Sequence, residues 1–177
     1  MTRNFVIGID PGQKGGIAFY HPEQLIVFDT PTFEIPFVKR VKNKSVKRTR
    51  TEMAMEEARE FLKSHSVECA YIEKVTAMQK QGVTGMFRFG QNFGQWEGLL
   101  CAREIEYTMV RPQVWKKAFA LNRDKHASLN LARELFPNNS KDFTLVKHEG
   151  RAEAALIAMY GWSQKYDEPL ETIQYPG

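Results

Sequence analysis

The chain has 177 residues and a formal net charge of +4 at pH 7, enough for one domain with a proper core and too little for two ordinary ones. No apolar run approaches the roughly 20 residues needed to span a bilayer, and "MTRNFVIGID" carries no apolar leader, so a cytoplasmic chain without a membrane partner is expected. The two cysteines, Cys69 and Cys101, lack a CxxC spacing and read as small buried apolar side chains rather than a disulfide.

The first apolar run, Phe5 to Ile9, predicts a strand; "GIAFY" and "LIVFD", joined by "HPEQ", predict two more in an antiparallel meander. The segment "KRVKNKSVKRTR" then holds Lys39, Arg40, Lys42, Lys44, Lys47, Arg48 and Arg50 without a single acid. Two readings of it stay open: a solvated loop, or a strip that binds phosphates by releasing their counterions. Thr49 and Glu52 have capping-box spacing, and Ala54, Ala58, Phe61 and Leu62 share one helical face, so a helix is expected to open there.

"VECAYIE" (67–73) predicts a strand that returns parallel to the first after the helical crossover. A glycine-punctuated connection, 81–90, leads into a long helix, "FRFGQNFGQWEGLLCARE", with Gly90, Gly94 and Gly98 every four residues. Each glycine costs about 1 kcal/mol against alanine in a helix interior, so a closely packed backbone is expected along that stripe. Phe89, Phe93, Trp96 and Leu100 lie nearby, and a subunit interface and ordinary core are both open readings. A short strand at 107–110, a helical turn "QVWKKAF", helices at about 124–135 and 149–164, and a loosely held acidic tail at 165–177 complete an α/β chain with a mixed five-stranded sheet flanked by helices.

Acids fall where burial is expected. Asp10 ends the first strand and Glu73 ends the 67–73 strand, while Glu149 and Glu153 lie four apart on one face of the last helix, in line with Leu156 and Tyr160. Buried carboxylates repel one another unless a cation compensates them, and clustered hard oxygens suit Mg²⁺ or Mn²⁺. Two such ions can together activate a water and stabilise the leaving oxygen of a phosphodiester. Taken singly, Asp10 could cap a turn, Glu73 could be a strand-end charge and Glu149 could cap its helix.

"GIDPG", "YIEKV", "RFGQNFGQWEG", "RPQVWKK" and "GRAEAALIA", in that order, resemble the RuvC Holliday-junction resolvases, particularly small phage-type members. The resemblance runs to about Gln164 and implies a ribonuclease H-like nuclease domain over 1–164. It further implies a homodimer joined through the 88–103 helix, each subunit using two divalent ions to nick a four-way DNA junction and leave 5′-phosphate and 3′-hydroxyl ends. By position it assigns Asp10, Glu73 and Glu153 as catalytic metal ligands. Glu149 is the less regular fourth, at a spacing of four where the family more often has three, with His148 as its competitor.

The resemblance also carries DNA contacts onto Lys116, Lys117 and Lys125. It matches the 75–87 segment to a junction-entering loop that includes Met78, Gln79, Lys80, Gln81 and Phe87, with Lys74 and Arg88 at its ends. Three rivals remain: a broader branched-DNA debranching nuclease, a non-catalytic branched-DNA binding module, and an actin-like ATPase suggested by "GIDPGQKGGIA" but lacking a second phosphate loop.

Overall fold

The computed structural model describes residues 4–42, 44–74, 76, 82–122, 124 and 126–173. Met78, Gln79, Lys80, Gln81 and Lys125 lie outside the described residues.

The predicted meander forms as β1 (Phe5–Asp10), β2 (Gly16–His21) and β3 (Gln24–Asp29). The chain returns through α1 (Met55–Ser64) to β6 (Val67–Glu73), parallel to β1, and through α2 (Val83–Ala102) to β7 (Tyr107–Val110), parallel to β6. The sheet order is β3-β2-β1-β6-β7, mixed as expected. Both crossovers leave the carboxyl ends of β1 and β6 side by side.

Strand alternation divides the core in two. Ile7, Ile9, Ile17, Phe19, Ala70 and Ile72 point to the side covered by α1 and α2, meeting Leu62, Trp96 and Leu100. Val6, Ala18, Tyr20 and Cys69 point to the side covered by α5 (Glu149–Tyr166), with α3 (Pro112–Ala118) and α4 (Ala127–Leu135) adding Trp115 and Leu129. Helix α5 runs over β1 and β2 with every residue from Ala154 to Ser163 buried. Its run of alanines permits that approach, and Gly8 completes it: a Cβ there would meet the Ala154 carbonyl and the Ala158 backbone. Gly8→Ala is therefore expected to lower unfolding stability by about 1–3 kcal/mol, the usual cost of overpacking against atoms that cannot yield; chemical denaturation at constant m-value checks it.

Four local expectations are corrected. The basic 39–50 segment is no loop: it lies in a two-stranded ribbon of β4 (Thr32–Val41) and β5 (Lys44–Met53). Thr49 and Glu52 pair across that ribbon with Pro36 and Phe33, so they cap nothing, and α1 starts at Met55 without a side-chain cap. Helix α2 begins at Val83, inside the segment expected to be a connection, and among the described residues of the single chain nothing lies within 4 Å of a Cβ on Gly90, Gly94 or Gly98, so the stripe is not ordinary core. Of the two cysteines, both free thiols, only Cys69 is buried; Cys101 is exposed.

After α5 the chain is anchored rather than loose as far as Ile173, which is buried, and the Trp162 indole donates to Glu168 at 3.1 Å. Among the described residues no helix is long and apolar enough to cross a membrane.

Candidate active site

Asp10 stands where β1 runs out, half-buried, its Oδ1 accepting a hydrogen bond from the Gly12 N–H at 3.0 Å. That bond holds the turn through Pro11 and fixes the carboxylate's direction. Glu73 ends β6, next to β1, and accepts a hydrogen bond from Trp115 Nε1 at 2.9 Å. Glu153 projects from the second turn of α5. One of its oxygens takes both the Lys116 ammonium at 2.7 Å and the Ser128 hydroxyl at 3.2 Å.

Two strand ends, one helix and α3 thus converge, and their charges act on one another. Burial pushes the Asp10 carboxyl up to about 7, and the negative charges of Glu153 and Glu73 add to the rise against the Gly12 bond and Lys116. Glu73 is raised by burial and by Glu153, opposed by the Trp115 indole and Lys116. Burial disfavours the Lys116 ammonium, yet its bond to Glu153 and the charges of Glu73 and Asp10 outweigh that and raise it. Three carboxylates share a single lysine, so the cluster lacks positive charge.

Hard oxygen donors with uncompensated negative charge are the chemistry that suits Mg²⁺ or Mn²⁺. Among the described residues no three His, Cys, Asp or Glu side chains already stand close enough to hold an ion. Glu153 is held by Lys116 and Ser128, and Glu73 by Trp115, so an arriving cation has to compete with those bonds. The donor set fits the ion; the cage is not preassembled.

Glu149 begins α5, one turn before Glu153, and lines a groove of about 570 Å³ with Gln13, Lys14, Asp29, Thr30 and Lys147. His148 is buried, with Nδ1 accepting the Leu145 N–H at 3.3 Å, and burial lowers its pKa. The hydrogen bonds that tie Asp10, Glu73 and Glu153 to their neighbours involve neither.

Of the predicted DNA contacts, Lys116 is half-buried inside the cluster, while Lys74 and Lys117, next in sequence to Glu73 and Lys116, are exposed. Lys74 and Glu73 line a cavity of about 390 Å³ with Thr76, Phe89, Arg111, Pro112 and Gln113. Arg88 is half-buried and Phe87 largely exposed on the first turns of α2. Lys39, Arg40, Lys42, Lys44, Lys47, Arg48 and Arg50 are exposed along the ribbon.

Trp115 and Ser128 escaped the sequence reading. A tryptophan next to two lysines in "RPQVWKK" was the available hint, since a buried indole N–H needs an acceptor; Ser128 had none, because its partner lies 25 residues away.

No protein-family profile and no curated protein matches the chain. Two similar solved structures are Thermus thermophilus RuvC in complex with a Holliday junction substrate (TM-score 0.55, 14% identity) and Thermus thermophilus RuvC (TM-score 0.52, 15% identity). Each comparison covers 92% of this chain and 96% of the other. At such identity the likeness bears on architecture: the chain has the ribonuclease H-like fold, with its mixed five-stranded sheet flanked by helices.

Proposed function

We propose that the chain is a divalent-metal-dependent endonuclease that nicks four-way DNA junctions by hydrolysis, leaving 5′-phosphate and 3′-hydroxyl ends. The observation that carries this reading is the convergence of Asp10, Glu73 and Glu153 from two adjacent strand ends and one helix into a cluster with too little positive charge. The RuvC-like fold supports it, and so does the Holliday junction substrate of one neighbour.

Asp10, Glu73 and Glu153 would hold the ions, with Glu149 as the outlying candidate. When bound, two Mg²⁺ or Mn²⁺ would polarise the scissile phosphate and generate a hydroxide nucleophile at neutral pH. The chain's own residues set the stage for that. The Trp115 indole orients Glu73, the Ser128 hydroxyl orients Glu153, and Gly12 orients Asp10. Lys116, already charged beside Glu153, stands ready to attract a phosphate oxygen and offset charge that develops on it. A second copy of the chain, packed along the open glycine stripe of α2, belongs to the proposal as the means of nicking two strands.

A cleavage panel tests the reading: four-way, three-way, flap and linear duplex DNA, each with Mg²⁺, and products mapped on both strands. Paired symmetric nicks confined to the four-way substrate are expected. Equal cutting of all branched substrates would replace it with a debranching nuclease, and tight binding without a nick under any divalent ion with a binding module.

A further inference from the structure

Ribbon β4–β5 takes no part in the acid cluster, yet it concentrates the chain's positive charge. From Pro36 to Arg50 every described residue is exposed except half-buried Val46. Seven cations fall between Lys39 and Arg50. Among the described residues only Arg50 has an ion-pair partner there, Glu52 at 2.9 Å.

The register shows how that charge is arranged. Residues directly opposite one another share a face, so one face carries the rungs Ile35–Arg50, Phe37–Arg48, Lys39–Val46 and Val41–Lys44. Each rung holds one cation and one apolar side chain. The other face carries Val38–Lys47 and Arg40–Ser45. No two cations sit opposite each other, which limits direct repulsion between facing pairs, but among the described residues only Arg50 has an acidic partner to neutralise it. An isolated two-stranded ribbon is only marginally stable in water, and uncompensated charge weakens it further, so the arrangement makes physical sense with a polyanion laid against it.

We infer that the β4–β5 ribbon is a duplex-DNA-binding arm, separate from the catalytic cluster, that lies in the major groove and grips its phosphate walls. The cationic rungs, from Ile35–Arg50 to Val41–Lys44, span about 20 Å at a rise of about 3.3 Å, rather more than half a turn of duplex at about 34 Å. The major groove, about 12 Å wide, admits a two-stranded ribbon. Cations on both faces reach both walls. The interleaved Ile35, Phe37, Val41 and Val46 offer carbon contacts without hydrogen-bond readout, so the arm tolerates any sequence.

Its root is tied to the loop that follows Asp10: Gln13 Nε2 donates to the Thr51 carbonyl at 3.0 Å, and Thr30 N–H to the Gly15 carbonyl at 2.9 Å. A duplex held by the arm therefore leads toward the acids. The choice of DNA as the polyanion rests on the nuclease reading of that cluster.

The test measures binding of the full chain, in EDTA, to a linear duplex of about 20 bp, about two helical turns, by fluorescence anisotropy. The variant combines Lys39→Gln, Arg40→Gln, Lys47→Gln and Arg48→Gln, all exposed and free of acidic partners among the described residues. It is expected to bind at least about 100-fold more weakly at low salt, and the slope of log affinity against log salt should fall by about 3–4 between about 50 and 200 mM. An unchanged slope and affinity would overturn the inference. So would tighter wild-type binding to a single strand of the same length, or to phosphatidylserine vesicles.

Because no cleavage is read, the two proposals fail separately. Duplex binding that depends on the ribbon, in a chain that cuts nothing, would leave the arm standing and remove the nuclease.

Discussion

Asp10→Asn is expected to lower junction cleavage at least about a thousand-fold, equivalent to about 4 kcal/mol of transition-state stabilisation, while changing junction affinity by less than about threefold. The two side chains are nearly the same size, so the turn through Gly12 survives: the amide oxygen can accept the bond that Oδ1 takes at 3.0 Å. What disappears is the negative charge that the proposal uses to hold a divalent ion at the end of β1. Binding is expected to persist because the proposed phosphate contacts are basic side chains away from Asp10, on the exposed ribbon and at Lys117. Cleavage and electrophoretic binding assays on one labelled junction separate the outcomes. Loss of both would mean that Asp10 serves the fold, and retained cleavage would remove it from the reaction.

The same substitution is expected to stabilise the metal-free protein at high pH. Asp10 has a folded-state pKa of about 7 against an ordinary value of 3.8, raised by burial and then by Glu153 and Glu73. A group raised in the folded state favours folding while it is protonated. Its contribution is full below pH 3.8, falls as pH climbs toward 7 and is gone above that, where folding has to bury an ionised carboxylate beside two others. The penalty above pH 7 is on the order of 2–4 kcal/mol, from a shift of about three units at 1.36 kcal/mol each, discounted for coupling.

Denaturant unfolding in EDTA at about pH 5 and pH 8 checks the sign. Asp10→Asn should gain on the wild type as pH rises, and added Mg²⁺ should close the gap by stabilising only the wild type. A gap that does not depend on pH would place Asp10 outside any charge cluster.

Most of the fold was legible because it rests on local pattern. Phe5–Ile9, "GIAFY" and "VECAYIE" are apolar runs of strand length with turn residues between them, and α5 announces itself by a long alanine-rich apolar stretch, Ala152 to Trp162, interrupted only by Glu153 and longer than a strand. The ribbon is not legible locally because its dense charge masks its period. Phe33, Ile35 and Phe37 alternate with Glu34 and Pro36 as a strand should, but Lys39 onward looks like solvated loop, and the Thr49–Glu52 spacing mimics a helix cap. One motif with a local meaning was overruled by pairing across ten rungs.

At the site, Asp10, Glu73 and Glu153 could be singled out because each is an acid at an otherwise apolar position. Their partners could not: the Lys116–Glu153 bond joins residues 37 apart and the Trp115–Glu73 bond joins residues 42 apart, and no local pattern encodes either. Helical spacing grouped Glu149 with Glu153, yet the first turn of α5 opens onto the groove with Gln13 and Lys14, one turn short of the cluster.

Anomalous diffraction from crystals of the wild-type chain soaked in Mn²⁺ bears most directly on the shared-cation claim. Manganese density bounded by carboxylate oxygens of Asp10, Glu73 and Glu153, with Lys116 displaced from Glu153, is the predicted result. Manganese bound only elsewhere, or none at millimolar concentration with the Lys116–Glu153 bond intact, would contradict it.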